Sequence, residues 1–286
     1  KDPKNASATS FRKLVVGYWK KNGRHNLPWR KTKDPYKILV SEIMLQQTQV
    51  DRVVPYFKRW VKNFPNIERL ASSSLVSVLQ CWSGLGYNRR AKLLRECAKE
   101  IVEKHGGRVP RAAAALIALP GIGLYTAGAI RVFAFNEPDV LIETNIRSVF
   151  IHHFFSSGTN TITSNGRHKL SYVHDSEIRV IAEQAARGQD PRTWHAALMD
   201  YGAYLKKTHL NPSRRSAHRM KQSKFEGSLR QMRGAILKRM VGGKPMIDLR
   251  SHSSKRFERA LAALINEGMI EKRGRQWRLV SDEREV

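Results

Sequence analysis

Apolar side chains recur at helical spacing along most of this chain, and short loops marked by Pro or Gly separate the repeats. Segment after segment from Phe11 to about Phe225 is apolar at positions i, i+3 and i+4, and none shows the alternation of a half-buried strand. Gly23 closes the first segment, and Pro35 opens the second. The pattern predicts an all-α domain over residues 11–205, preceded by a disordered polar tail over residues 1–10.

The composition changes after this domain. Residues 206–226 are basic and poor in core-forming side chains, which is typical of a linker, a DNA-facing loop or a solvated basic loop. Two further apolar helical stripes and a short hairpin around residues 273–275 follow. Two helices and a basic hairpin resemble a winged helix, so residues 227–286 are predicted to form a small winged-helix-like α/β module. Its middle helix is poorly marked around Ile247–Arg250.

The charge of the chain is strongly unbalanced. Among 286 residues, Lys and Arg number 52 and Asp and Glu number 24, giving a formal net charge of +28 and a pI of about 10.6. Such a charge destabilises a compact fold by self-repulsion unless a polyanion or counterions screen it. We therefore expect a nucleic-acid partner. A membrane surface is disfavoured because no basic amphipathic segment stands apart from the globular pattern.

Signals for targeting and for metal binding are weak. The chain has no apolar run of about 18 residues, and its polar start lacks the apolar core of a signal peptide, so we expect a cytoplasmic or nucleoid protein. The two cysteines, Cys81 and Cys97, lie in apolar helical segments and are predicted to be buried thiols. No cysteine or histidine spacing is typical of a metal site.

One motif directs attention to nucleic-acid chemistry. The sequence LPGIG at residues 119–123 separates two predicted helices, and its glycines permit a tight hairpin whose N–H groups can bind a phosphate. Glu143 follows one helix later. Three further motifs are LPWR at residues 27–30, SEIMLQQTQV at residues 41–50 and WSGLGY at residues 82–87.

Together these segments resemble the MutY-type adenine DNA glycosylases of the helix-hairpin-helix superfamily, over residues 11–205. The resemblance implies a mostly helical, two-lobed fold. It also implies a monomeric, monofunctional enzyme of base excision repair. The expected substrate is double-stranded DNA with adenine mispaired with 8-oxoguanine or G.

The resemblance assigns chemical roles to three residues. Cleavage of an N-glycosidic bond needs a proton donor for the base and a carboxylate that stabilises the sugar cation. Glu42 corresponds to the proton donor, and we expect burial to raise its pKa. Glu143 would stabilise the oxocarbenium ion or bond to it covalently, and Tyr125 would help hold the site. Because Tyr125 stands where endonuclease III carries its Schiff-base lysine, no β-lyase activity is expected.

Other residues are assigned to substrate binding. The base pocket would include Leu27, Trp29 and Arg30. Gln46, Gln47 and Asn88 would stabilise DNA whose target base is flipped out of the helix. Phosphates would be bound by Gly121, Gly123, Arg214 and Arg215. As in the family, a Na⁺ or K⁺ ion could bind hairpin carbonyls of residues 118–123.

Plainer roles compete with these assignments. Glu42 could be a structural carboxylate, and Trp29 could be a core aromatic residue. Glu143 could cap the next helix, a role compatible with catalysis.

The chain also departs from the family pattern. Glutamate occupies position 143 where the family has aspartate, and Asn88 replaces a tyrosine. Where four cysteines should hold an iron–sulfur cluster there are Lys206, Ser213 and Ser216, so we expect no cluster. The C-terminal module does not resemble the module that reads 8-oxoguanine. Two alternatives stay open: a glycosylase for T or modified U opposite G, and a catalytically inactive lesion-binding protein.

Overall fold

The computed structural model describes residues 3–155, 161–162, 168–169, 172–219, 224–244, 246, 249, 254–274 and 276–280. In chain order the helices are α1 (Pro3–Asn22), α2 (Pro35–Leu45), α3 (Val50–Asn63), α4 (Ile67–Ala71), α5 (Leu75–Trp82), α6 (Arg89–His105), α7 (Ala113–Ile117), α8 (Leu124–Phe135), α9 (Thr144–Phe154), α10 (Asp175–Ala186), α11 (Pro191–Thr208), α12 (Leu229–Val241) and α13 (Ser254–Asn266). The fold is mostly helical, as predicted. None of the described helices is both long and apolar enough to cross a bilayer.

The chain forms two compact units. The first comprises Lys1–Lys33 and Ala127–Lys221, and the second comprises Asp34–Thr126 and Gln222–Val286. The division falls inside α8. The second unit thus contains both the glycine hairpin and the whole range of the predicted winged-helix-like module.

In the first unit, α11 is the central helix and packs against α1 and α9. Phe11 on α1 meets Trp194 on α11 edge to face, with ring centroids 6.0 Å apart, and Phe150 on α9 at 5.7 Å. Trp194 and Phe150 are almost completely buried. Burial of these large rings stabilises the three-helix contact through both area and geometry.

In the second unit, α2, α3, α5 and α6 pack around a tryptophan pair. Trp60 and Trp82 are fully buried, and their rings meet edge to face at 5.4 Å. The indole N–H of Trp60 donates to the hydroxyl of Tyr36 (3.2 Å), which donates to the carbonyl oxygen of Phe64 (2.8 Å). The indole N–H of Trp60 and the hydroxyl of Tyr36 therefore each have a hydrogen-bond partner.

The C-terminal part packs within the second unit. The strands β3 (Ile270–Arg273) and β4 (Gln276–Leu279) form an antiparallel hairpin that pairs Arg273 with Gln276. The ammonium of Lys92 on α6 donates to the carbonyl oxygen of Glu267 (2.7 Å) just beyond α13. Two helices and the hairpin stand where a winged-helix-like module is predicted. Most of the weakly marked segment near Ile247–Arg250 lies outside the described residues.

Two sequence expectations are wrong. Helix α1 begins at Pro3, so it extends through most of the stretch predicted to be a disordered tail. Proline is tolerated at a first helical position, and alanines follow it. A strand pair, β1 (Thr161–Ile162) with β2 (His168–Lys169), interrupts a region predicted to have no strands. Strands of two residues are too short to show alternation.

Candidate active site

Glu42 lies on a helix that is buried along nearly its whole length. Asp34 begins α2 by accepting hydrogen bonds from the backbone nitrogens of Tyr36 (2.9 Å) and Lys37 (3.4 Å). Residues 38–44 of this helix are all buried, and the Glu42 residue is only 9% exposed. The Glu42 carboxyl is therefore largely removed from solvent.

A buried arginine completes the C-terminal end of α2. The last carbonyls of a helix lack partners within the helix. One terminal nitrogen of the Arg90 guanidinium donates to the carbonyl oxygens of Ile43 (2.8 Å), Met44 (2.8 Å) and Gln46 (2.6 Å). Sequence reasoning missed this residue, because an arginine in an amphipathic helix is usually solvated.

Arg90 also joins α2 to the loop before α6. Its second terminal nitrogen donates to the hydroxyl of Thr48 (3.0 Å) and to the carbonyl oxygen of Gly86 (3.1 Å). The guanidinium lies 5.2 Å from the Trp82 ring centroid and 5.3 Å from that of Tyr87. Burial lowers the pKa of Arg90 to about 10, so the group remains cationic at neutral pH.

The turn that follows α2 carries the predicted wedge residues. Gln47 is exposed and has a φ of 54°, in the left-handed region that few non-glycine residues adopt. Gln46 is half-buried, and its amide nitrogen donates to the hydroxyl of Thr126 (3.3 Å) on α8. The structure thus brings Gln46 beside the start of the helix that carries half-buried Tyr125.

The glycine hairpin joins α7 to α8 as the sequence indicates. The backbone nitrogen of Ile122 donates to the carbonyl oxygen of Leu119 (3.2 Å), and Gly121 has a φ of 79°. A Cβ at Gly121 would lie 3.0 Å from the Cβ of Leu93 on α6, whereas one at Gly123 would meet open space. Both glycines are exposed. The predicted binding of phosphate and of Na⁺ or K⁺ here remains a prediction.

Asn88 is the N-cap residue that precedes α6, and it is half-buried. Its neighbour Tyr87 has a φ of 51°, in the left-handed region. Arg230 on α12 donates to the Tyr87 hydroxyl, and its guanidinium lies 5.0 Å from the centroid of that ring. Arg230 of the C-terminal module therefore contacts Tyr87, the residue before Asn88. The sequence analysis did not predict this contact.

Glu143 caps α9. One of its carboxylate oxygens accepts hydrogen bonds from the backbone nitrogens of Asn145 (2.8 Å) and Ile146 (2.9 Å). The other accepts from the side-chain amide nitrogen of Asn145 (3.2 Å). The positive end of the helix dipole also favours the anion. The plainer role considered for Glu143 is therefore present, and it holds the carboxylate in one orientation.

Burial raises the pKa of the Glu143 carboxyl above its ordinary value. The two backbone donors and the positive charges of Lys206 and Arg147 act in the opposite direction. Arg147 is itself held by Asp175, with nitrogen–oxygen distances of 2.7 Å. The site thus keeps a carboxylate in surroundings that resist its ionisation, as is typical of functional groups.

The predicted base-pocket residues lie in the first unit. Leu27 is half-buried at the start of a 3-10 helix (Pro28–Arg30), and Trp29 is 7% exposed. The Arg30 guanidinium forms a bidentate ion pair with the Asp200 carboxylate, in which Nη2 lies 2.9 Å from Oδ1. A core role for Trp29 thus agrees with its burial.

Asp200 is the central acceptor of this cluster. It is 4% exposed, and it also accepts from the backbone nitrogen (2.8 Å) and the guanidinium (2.6 Å) of Arg24. Burial acts to raise the pKa of Asp200, but the hydrogen bonds and charges of Arg30 and Arg24 outweigh it and lower the pKa. The sequence offered no periodic signal for this cluster.

The basic loop after α11 is anchored by its own hydrogen bonds. Ser213 and Ser216 are buried, and Ser213 donates to the side-chain oxygen of Asn211 (2.7 Å). The backbone nitrogen of Val173 donates to the carbonyl oxygen of Arg215 (2.8 Å). These contacts hold the segment where the resemblance places an iron–sulfur cluster.

The two arginines predicted to bind phosphate in this loop differ. Arg214 is exposed, whereas the guanidinium of half-buried Arg215 donates to the carbonyl oxygen of Phe155 at the end of α9. Arg215 therefore has a structural role, while Arg214 is available to a phosphate.

The residues present do not fit an iron–sulfur cluster. The only two cysteines of the sequence, Cys81 and Cys97, are both buried free thiols. Burial raises the pKa of both, to about 12 for Cys97, which disfavours thiolate ligands. Among the described residues no three His, Cys, Asp or Glu side chains are grouped for a metal ion.

The hairpin between α7 and α8 is the element that defines the helix-hairpin-helix class of DNA repair proteins. Residues 40–183, half of the chain, match the family described as "HhH-GPD superfamily base excision DNA repair protein". The chain belongs to this superfamily. The predicted family and fold class are thereby confirmed.

Several similar proteins carry the name adenine DNA glycosylase. The one from Buchnera aphidicola subsp. Baizongia pistaciae (strain Bp) is 45% identical over 144 residues, 50% of this chain and 41% of that protein. The one from Rattus norvegicus is 36% identical over 207 residues, 69% of this chain and 38% of that protein. The chain spans less than half the length of these two relatives.

A solved structure described as "Structure of a thermostable thymine-DNA glycosylase" is also similar. Its TM-score is 0.60 at 28% sequence identity, and the match covers 71% of this chain and 88% of that chain. The helical arrangement described above is therefore shared with a second kind of glycosylase.

Replacement of Arg90 tests its role at the end of α2. We expect Arg90→Met to lower the free energy of unfolding by about 3 kcal/mol, because several buried carbonyls lose their donor. Urea denaturation measures this loss. Exposed Arg89 on the same helix provides the matched control, Arg89→Met. Equal losses in the two variants would contradict the assignment.

A second prediction concerns the cost of the Glu143 charge. Because its folded-state pKa is raised, stability falls as pH rises from the ordinary carboxyl value of about 4.3 through the raised value. We expect Glu143→Gln to have a higher Tm than the wild type at pH 7 and an equal Tm below pH ~4. Thermal denaturation across this range checks it, and a lower Tm at pH 7 would contradict it.

Proposed function

We propose that this protein is a monofunctional adenine DNA glycosylase. It hydrolyses the N-glycosidic bond of adenine mispaired with 8-oxoguanine or G in double-stranded DNA. The observation that carries the proposal is the pair of glutamates on helices of the family region, Glu42 buried on α2 and Glu143 at the start of α9. Relatives that carry the name adenine DNA glycosylase support adenine as the base.

In this mechanism the two carboxyl groups act in opposite protonation states. Glu42 acts as the general acid and donates a proton to a ring nitrogen of the departing adenine. Glu143 is ionised and stabilises the positive charge that develops on the sugar, with its orientation set by three hydrogen bonds. Attack of water on the sugar then leaves an abasic site.

Tyr125 explains why an abasic site in an intact strand is the expected product. A phenol cannot form a Schiff base with the sugar aldehyde, so the DNA strand stays intact after base release. Tyr125 is half-buried near the beginning of α8. There it can contact the substrate without becoming a covalent catalyst.

Binding of DNA follows from charge and from the hairpin. The net charge of +28 favours a polyanion, and affinity should fall steeply with salt. Gly121 and Gly123 present exposed backbone at the start of α8, and Arg214 adds an exposed cation. Gln46, Gln47 and Asn88 are proposed to occupy the space left by the flipped base.

A second candidate is a glycosylase for thymine or modified uracil opposite G. The structural similarity to a thymine-DNA glycosylase favours it. Enclosed Glu42 favours adenine, because a proton donor suits a base with basic ring nitrogens. The third reading, a binding protein without catalysis, would require both glutamates to be purely structural.

Single-turnover base release distinguishes these candidates. Duplexes carry A opposite 8-oxoguanine, A opposite G, and T or U opposite G, each with and without later treatment with alkali. The proposal predicts strand breaks only at adenine and only after alkali. Breaks at thymine or uracil would assign the second candidate, and binding without release would assign the third.

The role of Glu42 has its own test. We expect Glu42→Gln to slow adenine release by at least about a hundredfold, because a general acid contributes this much or more. The exposed Glu183 on α10 gives the matched control, Glu183→Gln. Electrophoretic mobility shifts measure duplex affinity, which should not change. A Glu42→Gln variant as fast as the control would contradict the assignment.

A further inference from the structure

One face of α11 lies directly against the beginning of α9. A Cβ at Gly202 would come within 2.1 Å of the carbonyl oxygen of Asn145, so only glycine permits this approach. Four residues later, on the same face of α11, the ammonium of Lys206 donates to the side-chain oxygen of Asn145 (3.2 Å). The contact between the two helices therefore places the Lys206 ammonium at Asn145, two residues after Glu143.

The Asn145 amide transmits this contact to the carboxylate. Because its oxygen accepts from Lys206, its nitrogen is directed to Glu143, whose second oxygen it reaches at 3.2 Å. The first carboxylate oxygen is already held by two backbone N–H groups. Ammonium, amide and carboxylate thus form a chain of hydrogen bonds in which each group fixes the next.

Two arginines near α9 also have partners of their own, although the Arg147 charge acts on Glu143 as well. Arg147 on α9 is held in a bidentate ion pair with Asp175 of α10, which compensates its charge. Arg215, in the short helix that packs on α9, donates to the carbonyl oxygen of Phe155 at the other end of α9. Lys206 is the cation that α11 supplies to Glu143.

We propose that Lys206 is a positioning residue for Glu143, which orients the Asn145 amide and favours the ionised carboxylate. Lys206 stands where the resemblance places a cysteine that binds the iron–sulfur cluster. In this chain that position instead carries the lysine that contacts Asn145. The consequence for catalysis rests on the proposed function, whereas the consequence for ionisation does not.

The test compares Lys206→Met, Lys206→Arg and the matched control Lys207→Met, a change of the exposed lysine next in the chain. Adenine release is measured in single turnovers between pH 4.5 and 9. In Lys206→Met the acidic limb should move to higher pH by about one unit, giving rates about tenfold lower on that limb. Rates on the plateau should stay within about threefold of the wild type.

Rescue and control make the result specific. Lys206→Arg should restore the wild-type limb, and Lys207→Met should leave the profile unchanged. A Lys206→Met profile that coincides with the wild type would overturn the proposal. A uniform loss at every pH would also overturn it, because that result indicates only damage to the fold.

A second readout does not require activity. The difference in Tm between Glu143→Gln and the parent is measured against pH, once with Lys206 and once with Lys206→Met. The difference starts near the unfolded-state carboxyl pKa in both backgrounds, and the pH at which it levels off reports the folded-state pKa of Glu143. That pH, and the size of the difference above it, should rise in the Lys206→Met background, and a curve unchanged in both respects overturns the proposal. If the wild type releases no base, the proposed function fails while this measurement still decides the role of Lys206.

Discussion

The guanidinium of Arg90 holds together the parts of the second unit that matter most for the proposed chemistry. It donates to three carbonyl oxygens at the end of α2, and also to Thr48 and Gly86. Without it, buried carbonyls would lose their partners, at a cost comparable to a large part of the stability of a domain. The helix of Glu42, the Gln46–Gln47 turn and the Tyr87 turn all depend on this one group.

A second constraint acts on Glu143. Burial opposes ionisation of this carboxyl, while the start of α9 and the Lys206–Asn145 chain favour it. The opposing effects leave a carboxylate that is fixed in orientation and poorly solvated. Such a group can stabilise a nearby positive charge more than a solvated one can, because water does not screen it. The ionised Glu143 that the proposed function needs therefore lowers the stability of the folded protein.

Much of the fold could be predicted from the sequence because helices leave a strong periodic signal. The apolar stripe and Pro35 predict α2, and the LPGIG motif predicts the turn at Gly121, whose left-handed φ requires glycine. The helical start of α1 and the pair β1–β2 were missed, since short polar segments carry little periodicity.

The candidate site was only partly predictable. Glu42 and Glu143 were found because they lie in recognisable motifs. Arg90, Asp200 and Lys206 were not assigned their roles, because a long-range contact of a charged side chain has no local pattern. Four of the Arg90 acceptors, on Ile43, Met44, Gln46 and Thr48, lie 42 to 47 residues away along the chain, and the acceptor of Lys206 lies 61 residues away.

The most direct test of the account is the rate of adenine release by Glu143→Gln from a duplex with adenine opposite 8-oxoguanine. Glutamine preserves the shape of the side chain and can still accept the backbone hydrogen bonds of α9, but it has no charge. We expect single-turnover release at least about a hundredfold slower than in the wild type, with unchanged affinity for the duplex. Release at the wild-type rate would show that the charge of Glu143 takes no part in the reaction.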